Sequence, residues 1–197
     1  IDRVERLGCD DLLYVVGTPQ TQHFMMVFEV AQQAGFMNDS HNTVHVNFGS
    51  VMDSDGKILK SREGEVTKLV DLLKEAVSRA KQAIAEKNPE LHGVQREEVA
   101  KAIGIGAVKY ADLSTERTKD YVFDWDRMLA FEGNTSPYLQ YAHARICSIF
   151  RRSGSERSTL SGTDIVLNRP EELLLARRLV NFAAATDDTL ATYSPHR

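Results

Sequence analysis

The sequence has little of what marks a membrane-embedded, secreted or generic nucleic-acid-binding chain. No apolar run approaches the roughly 20 residues that a bilayer-crossing helix needs. Cysteine is scarce: Cys9 and Cys147 are the only two, without CxxC spacing and too few for a disulfide framework. That usage fits a reducing compartment, and a cytoplasmic location is expected. Basic charge is not in excess, with 24 Lys and Arg against 28 Asp and Glu. A binder relying on net positive charge is therefore excluded, and any contact with a polynucleotide must come from local basic patches. There is no internal repeat, and IDRVERLGCDD is neither a signal nor a transit peptide. The first residue is not Met and TYSPHR ends without a helix cap, so both ends are expected to be cuts through a longer protein.

What is present is an ordinary globular composition, 42% hydrophobic and 26% charged, in a chain long enough for one substantial core or two small domains. Residues 12–16 (LLYVV) form a short continuous apolar run, the pattern of a strand buried on both faces. Gly17-Thr18-Pro19 breaks it. From Gln20, the apolar residues Phe24, Val27, Phe28, Ala31 and Ala34 recur at helical spacing until Gly35. Residues 44–48 (VHVNF) are the next strand. Strand, helix and strand over this length predict a βαβ unit of a parallel sheet.

Two amphipathic helices are expected next. The first carries Leu69, Leu73, Ala76, Val77, Ala80 and Ile84 on one stripe and ends at Asn88-Pro89. The second runs over residues 96–110, with Val99, Ala102, Ile103, Gly106, Ala107 and Tyr110 on one face. Gly104 and Gly106 weaken that helix by roughly 1 kcal/mol each, which a close backbone contact would explain. Residues 121–123 suggest a short strand. A third helix over 137–152 follows the capping cluster Asn134-Thr135-Ser136, with Leu139, Ala142, Ile146, Ile149 and Phe150 as its expected core face. SGSERSTLSG reads as a linker, and a fourth helix begins near Pro170, with Glu171 and Glu172 in its first turn. The order is α/β first and all-helical afterwards.

Ligands of parallel sheets bind beyond the carboxyl ends of the strands. That directs attention to GTPQTQH after the first strand and to GSVMDSDGKILKSREG after the second. Lys57, Lys60 and Arg62 on the latter can hold a polyphosphate and stabilise charge as pyrophosphate leaves; a solvated surface loop is the plain alternative. The loop is neither a P-loop, lacking GxxxxGK[ST], nor an EF-hand, lacking the closing Glu. By residue type alone, Gln20 can form a helix-start hydrogen bond and His23 can be a satisfied core imidazole. Gly49 can admit a ligand close to the backbone or simply turn the chain at the strand exit. Asp39, His41 and His45 match no strong metal-ligand spacing, and no protein-bound metal is expected. Arg145, Arg151 and Arg152, with Arg157 beyond, can meet phosphates or form a solvated helix face. Tyr138 and Tyr141 can stack on bases, but their helical spacing is that of core residues.

VHVNFGSVMDSDGKILKSREGEVTKLVDLL resembles the segment of class I arginyl-tRNA synthetases that holds their version of the KMSKS loop. IGIGAVKYADLSTERTKDYVFDWDRMLAFEGNTSPYLQYAHARICSIFRR is similar to the junction into their anticodon-binding domain. The resemblance runs over nearly the whole chain, strongest at 44–75 and 104–152 and weak at 88–96 and 153–169. It implies the C-terminal half of a Rossmann-type catalytic domain over residues 1–128, and the first helices of a helical anticodon-binding bundle over 129–197. It implies ATP-dependent activation of L-arginine and transfer to its tRNA, with Mg2+ accompanying ATP and a monomeric enzyme. Lys57, Lys60 and Arg62 would hold the ATP phosphates, although Ser61 stands where KMSKS has its second lysine. His23, Phe48, Gly49 and Val51 would face ATP, Gln20 the arginine, and Arg145, Arg151 and Arg152 the tRNA. No counterpart of the family's HIGH signature is present, so this stretch is expected to be inactive alone. The rival readings are a non-catalytic tRNA-binding module, against which the phosphate loop argues, and another class I synthetase such as the cysteine enzyme.

Overall fold

The computed structural model describes residues 1–53, 55–58, 68–156, 158 and 164–197. They form two compact units that alternate along the chain: Ile1–Leu59 with Thr115–Phe123, and Lys60–Ser114 with Asp124–Arg197.

The first unit opens with a one-turn helix α1 (Asp2–Glu5), strand β1 (Asp11–Gly17), a 3₁₀ turn (Thr18–Gln20), helix α2 (Thr21–Gln33) and strand β2 (Asn42–Phe48). β1 and β2 pair in parallel from Asp11↔Asn42 to Gly17↔Phe48, the arrangement the apolar runs predict. α2 stops where Gly35 takes φ +76°, a conformation in which glycine carries no Cβ penalty. The helix packs through aromatic rings: Phe24 lies 5.0 Å from Tyr14 and 4.8 Å from His45, and Phe28 lies 5.3 Å from Tyr14, centroid to centroid. Tyr14 and His45 are register partners and so share one sheet face, and that face is the one α2 covers. The expectation that β1 is buried on both faces is corrected. Leu12 is buried, whereas Leu13 and Val15 are 46% and 67% exposed, because no described element of the unit covers the opposite face at those residues. A second small sheet pairs β3 (Val51–Met52) with β4 (Tyr121–Val122), again in parallel.

The second unit is helical. α3 (Leu69–Lys87) and α4 (Gly93–Leu113) form a hairpin whose core is made of small residues. Ala80, Ile84 and Ala100 are buried together, with Val77, Leu91, Ile103 and Leu129 packed against them. The close approach expected at the α4 glycines is found. A Cβ on Gly104 would stand 2.7 Å from the Ala76 carbonyl carbon and oxygen, and one on Gly106 would stand 2.5 Å from Gln140 Nε2. Only Gly104 meets backbone; Gly106 meets side chains of the next long helix. At the outer end of the predicted α3 stripe, Leu69 is 65% exposed.

α5 (Trp125–Met128) is a single turn capped by Asp124, whose carboxylate accepts the Arg127 N–H at 3.1 Å. α6 (Ser136–Ser153) begins at the predicted capping cluster: buried Thr135 accepts the Tyr138 N–H at 3.3 Å and donates to the Ala130 carbonyl at 2.7 Å. Gln140 then ties α6 to α4 by donating to the Ala102 carbonyl at 3.0 Å. The expected core face of α6 is corrected. Leu139, Ile146 and Ile149 are at least half exposed, as is Tyr141, and the buried residues are Ser136 and Pro137 at the start of the helix. Packing against α4 therefore uses the first turns of α6, where small residues allow close contact, and not the apolar stripe farther along. The expected fourth helix is two, α7 (Pro170–Val180) and α8 (Phe182–Thr192), joined at Asn181. No described helix is long and apolar enough to cross a membrane.

Candidate active site

The register Gly17↔Phe48 brings the two predicted ligand-facing segments to the same carboxyl edge of the β1–β2 sheet. They are tied there by Thr18, whose hydroxyl donates to the Phe48 carbonyl at 3.0 Å while the Asn47 amide approaches it at 3.4 Å. Gln20 occupies the position before α2 and makes no side-chain cap bond, so the helix-start hydrogen bond considered for it is absent. His23 lies exposed in the first turn of α2, its ring 5.6 Å edge-on to Phe24. It is not a core imidazole. The partly buried His45 is the satisfied imidazole instead, with Nε2 2.9 Å from the Val16 carbonyl.

Beyond β2 the chain passes close under another segment. A Cβ on Gly49 would meet the Lys119 carbonyl carbon and oxygen at 2.4 Å and the Asp120 nitrogen at 2.8 Å, so glycine is required there by the protein's own backbone. The Gly49 N–H donates to the Arg117 carbonyl at 2.9 Å, and the Ser50 N–H to the Asp120 carboxylate at 2.6 Å. The Tyr121 and Phe123 N–H groups donate to the Ser50 and Met52 carbonyls at 3.1 and 2.9 Å. In a parallel ladder the bonded groups alternate, so the Val51 N–H and carbonyl point away from β4. Phe48 is 44% exposed beside them.

Lys57 sits at the end of a tight loop organised by Asp53. One Asp53 carboxylate oxygen accepts the Asp55 and Lys57 N–H groups at 3.0 and 2.9 Å, and the Asp53 N–H donates to the Lys57 carbonyl at 2.7 Å. Gly56 completes the turn at φ +72°. This is an Asx-type turn closed by a bridge between Met52 and Ile58. It holds the backbone of Lys57 while leaving the residue exposed, and among the described residues the ammonium has no carboxylate partner. Lys60 and Arg62 lie outside the described residues, as does Arg157.

Arg145, Arg151 and Arg152 are exposed on α6 in the second unit. Arg145 donates to the Tyr141 hydroxyl at 2.9 Å, which corrects the expectation of a core role for Tyr141; Tyr138 is 46% exposed as well. The histidines set aside as metal ligands are engaged otherwise: the His41 Nδ1 accepts the Asn38 N–H at 3.2 Å. Among the described residues no three His, Cys, Asp or Glu side chains are placed to hold a metal ion. Asp53 was weighed in the sequence only as part of a rejected EF-hand, so its role in the turn was missed, and Arg117 and Asp120 escaped altogether. The D-x-D-G spacing around Asp53 is a turn signal that could have revealed the first; nothing local marks the other two.

The sequence profile of the family described as tRNA synthetases class I (R), catalytic domain, matches residues 1–125, and that of the DALR anticodon binding domain matches residues 139–197. The chain belongs to the class I (R) tRNA synthetase family. It is similar to the arginine–tRNA ligase of Serratia proteamaculans, 46% identical over 194 residues, covering 98% of this chain and 34% of that protein. The arginine–tRNA ligase of Edwardsiella ictaluri is 47% identical over 98% of this chain and 33% of its own length. Among solved structures, arginyl-tRNA synthetase from Plasmodium falciparum superposes with a TM-score of 0.82 at 28% identity, over 99% of this chain and 33% of that one. The Thermus thermophilus arginyl-tRNA synthetase gives 0.77 at 29%, over 95% and 30%. The chain thus spans about a third of the length of the curated relatives it matches.

Proposed function

We propose that the full-length protein containing this chain is an arginine–tRNA ligase, activating L-arginine with ATP and transferring it to tRNA. The observation that carries this reading is the convergence of PQTQH and the β2 exit on one sheet edge, at Gly17↔Phe48, in a chain whose residues 1–125 match the class I (R) catalytic domain. In this reading residues 1–128 are the C-terminal part of a Rossmann-type catalytic domain, and residues 129–197 begin the anticodon-binding bundle.

The arginine carboxylate attacks the α-phosphorus of ATP, giving arginyl-adenylate and pyrophosphate; a terminal ribose hydroxyl of the tRNA then takes the arginyl group. No protein nucleophile is needed, so catalysis is positioning and charge stabilisation. Lys57, Lys60 and Arg62 take the phosphates, whose Mg2+ is held largely by phosphate and water oxygens. His23, Phe48, Gly49 and Val51 face the nucleotide, Gln20 the arginine, and Arg145, Arg151 and Arg152 the tRNA phosphates. The bonds already made by the Gly49 and Ser50 N–H groups favour Val51 as the residue offering backbone groups to the base. Isolated, this stretch is inactive.

The test is ATP–pyrophosphate exchange by the full-length protein, offering each amino acid in turn with and without tRNA. Exchange with arginine alone is the expected result; silence with every amino acid and tRNA present would point to a non-catalytic tRNA-binding protein. Exchange with cysteine instead would reassign the substrate.

A further inference from the structure

The exit of β2 is not held by its own neighbours in sequence. Besides the Thr18 hydroxyl on the Phe48 carbonyl, its fixing points come from residues 115–123, which return to the first unit after the whole α3–α4 hairpin. Arg117 supplies two of them: its Nη1 donates to both the Asn47 carbonyl and, at 3.0 Å, the Asn47 side-chain oxygen, and its carbonyl accepts the Gly49 N–H. Asp120 supplies a third by accepting the Ser50 N–H. Between them Lys119 presses its backbone against Gly49. Three consecutive peptide groups at the end of β2 are thereby fixed from one side by a segment 70 residues away.

We propose that Arg117 and Asp120 are positioning residues for ATP, setting the place and orientation of the Phe48–Val51 edge without touching the nucleotide. This rests on the reading of that edge as the nucleotide site. A partly buried guanidinium bonded to two oxygens of one residue is a rigid, charge-assisted constraint. Its loss frees the strand exit to shift, and a small misplacement at a binding edge weakens the ligand contacts built on it.

The experiment compares the full-length enzyme with its Arg117→Ala, Arg117→Lys and Asp120→Ala variants in arginine-dependent ATP–pyrophosphate exchange, with thermal unfolding followed in parallel. Arg117→Ala is expected to raise the KM for ATP about ten-fold, the scale of a lost hydrogen bond to a charged group. The KM for arginine should stay within about two-fold, since Gln20 lies on the other strand's exit. Arg117→Lys, which keeps the charge but carries it on a shorter, more flexible side chain than the one that sets Nη1 between the two Asn47 oxygens, should fall between the wild type and Ala. Asp120→Ala should act in the same direction and more weakly. If Arg117→Ala does not fold, Arg117→Lys and Asp120→Ala carry the test. An active wild type whose variants keep their KM for ATP overturns the positioning role alone. Equal losses in both KM values together with a lowered melting temperature reduce it to ordinary stability. A wild type silent with arginine overturns the nucleotide reading and this inference with it.

Discussion

Two glycines in this chain are each pressed against another stretch of backbone, and they do different work. Gly104 lets α4 lie on α3 at Ala76, in the same helix pair as the apolar cluster of Ala80, Ile84 and Ala100. The Lys81–Glu97 ion pair that also joins the two helices is half exposed, so the contact is stabilised mainly by apolar area and close packing. Gly49 lets the β2 exit pass under Lys119, and there hydrogen bonds from Arg117, Asp120 and Tyr121 surround the contact. The first arrangement is non-directional and fixes only a distance between helices. The second fixes orientation, because each bond demands its own angle. A scaffold can be built the first way, but an edge that must present specific atoms to a ligand needs the second.

Substitutions at the two sites should break in different currencies. The largest effect is expected at Gly49→Ala, whose Cβ would stand 2.4 Å from the Lys119 carbonyl. Arginine-dependent exchange by the full-length protein should fall about 100-fold, the scale of a misplacement of roughly 1 Å, while the helical signal in circular dichroism persists. Gly104→Ala should instead cost about 1–3 kcal/mol of stability through overpacking, visible as a lower urea midpoint, with the KM for ATP unchanged in the protein that remains folded. A raised KM in that variant would erase the distinction. The smallest effect is expected at Asp53→Ala, which releases the Lys57 N–H and opens its turn. A solvent-exposed loop bond is worth about 1 kcal/mol, so the KM for ATP should rise only a few-fold, without a change in melting temperature.

The same contrast explains what could be read from the sequence. Helices α3 and α4 were legible because helical periodicity is local, and Gly104 and Gly106 announced a close approach without naming its partner; the pairing of the two helices was not read. β1, α2 and β2 were legible as elements for the same reason, and the capping cluster at Thr135 announced α6. Burial was less so. Apolar residues such as Val15 and Ile149 follow the periodicity of a core yet stand exposed here, since periodicity reports which face is apolar and not what covers it. The break between α7 and α8 at Asn181 carries no Gly or Pro, and nothing local separates the two helices. At the candidate site, Gly49 and Lys57 stood out by residue type and by their place after a strand, and Gln20 and His23 through the family resemblance. Arg117 and Asp120 did not, because their role exists only through partners 70 positions earlier.

That separation also sets an order of events during synthesis. When residue 50 leaves the ribosome its N–H has only water to bond to, and the carboxylate that accepts it in the folded protein follows 70 residues later, about 4–14 s at ordinary elongation rates. The α3–α4 hairpin, rich in local contacts, can form within that interval. The edge read here as the nucleotide site is therefore completed late, and a chain stalled before residue 115 would carry the motif without its geometry.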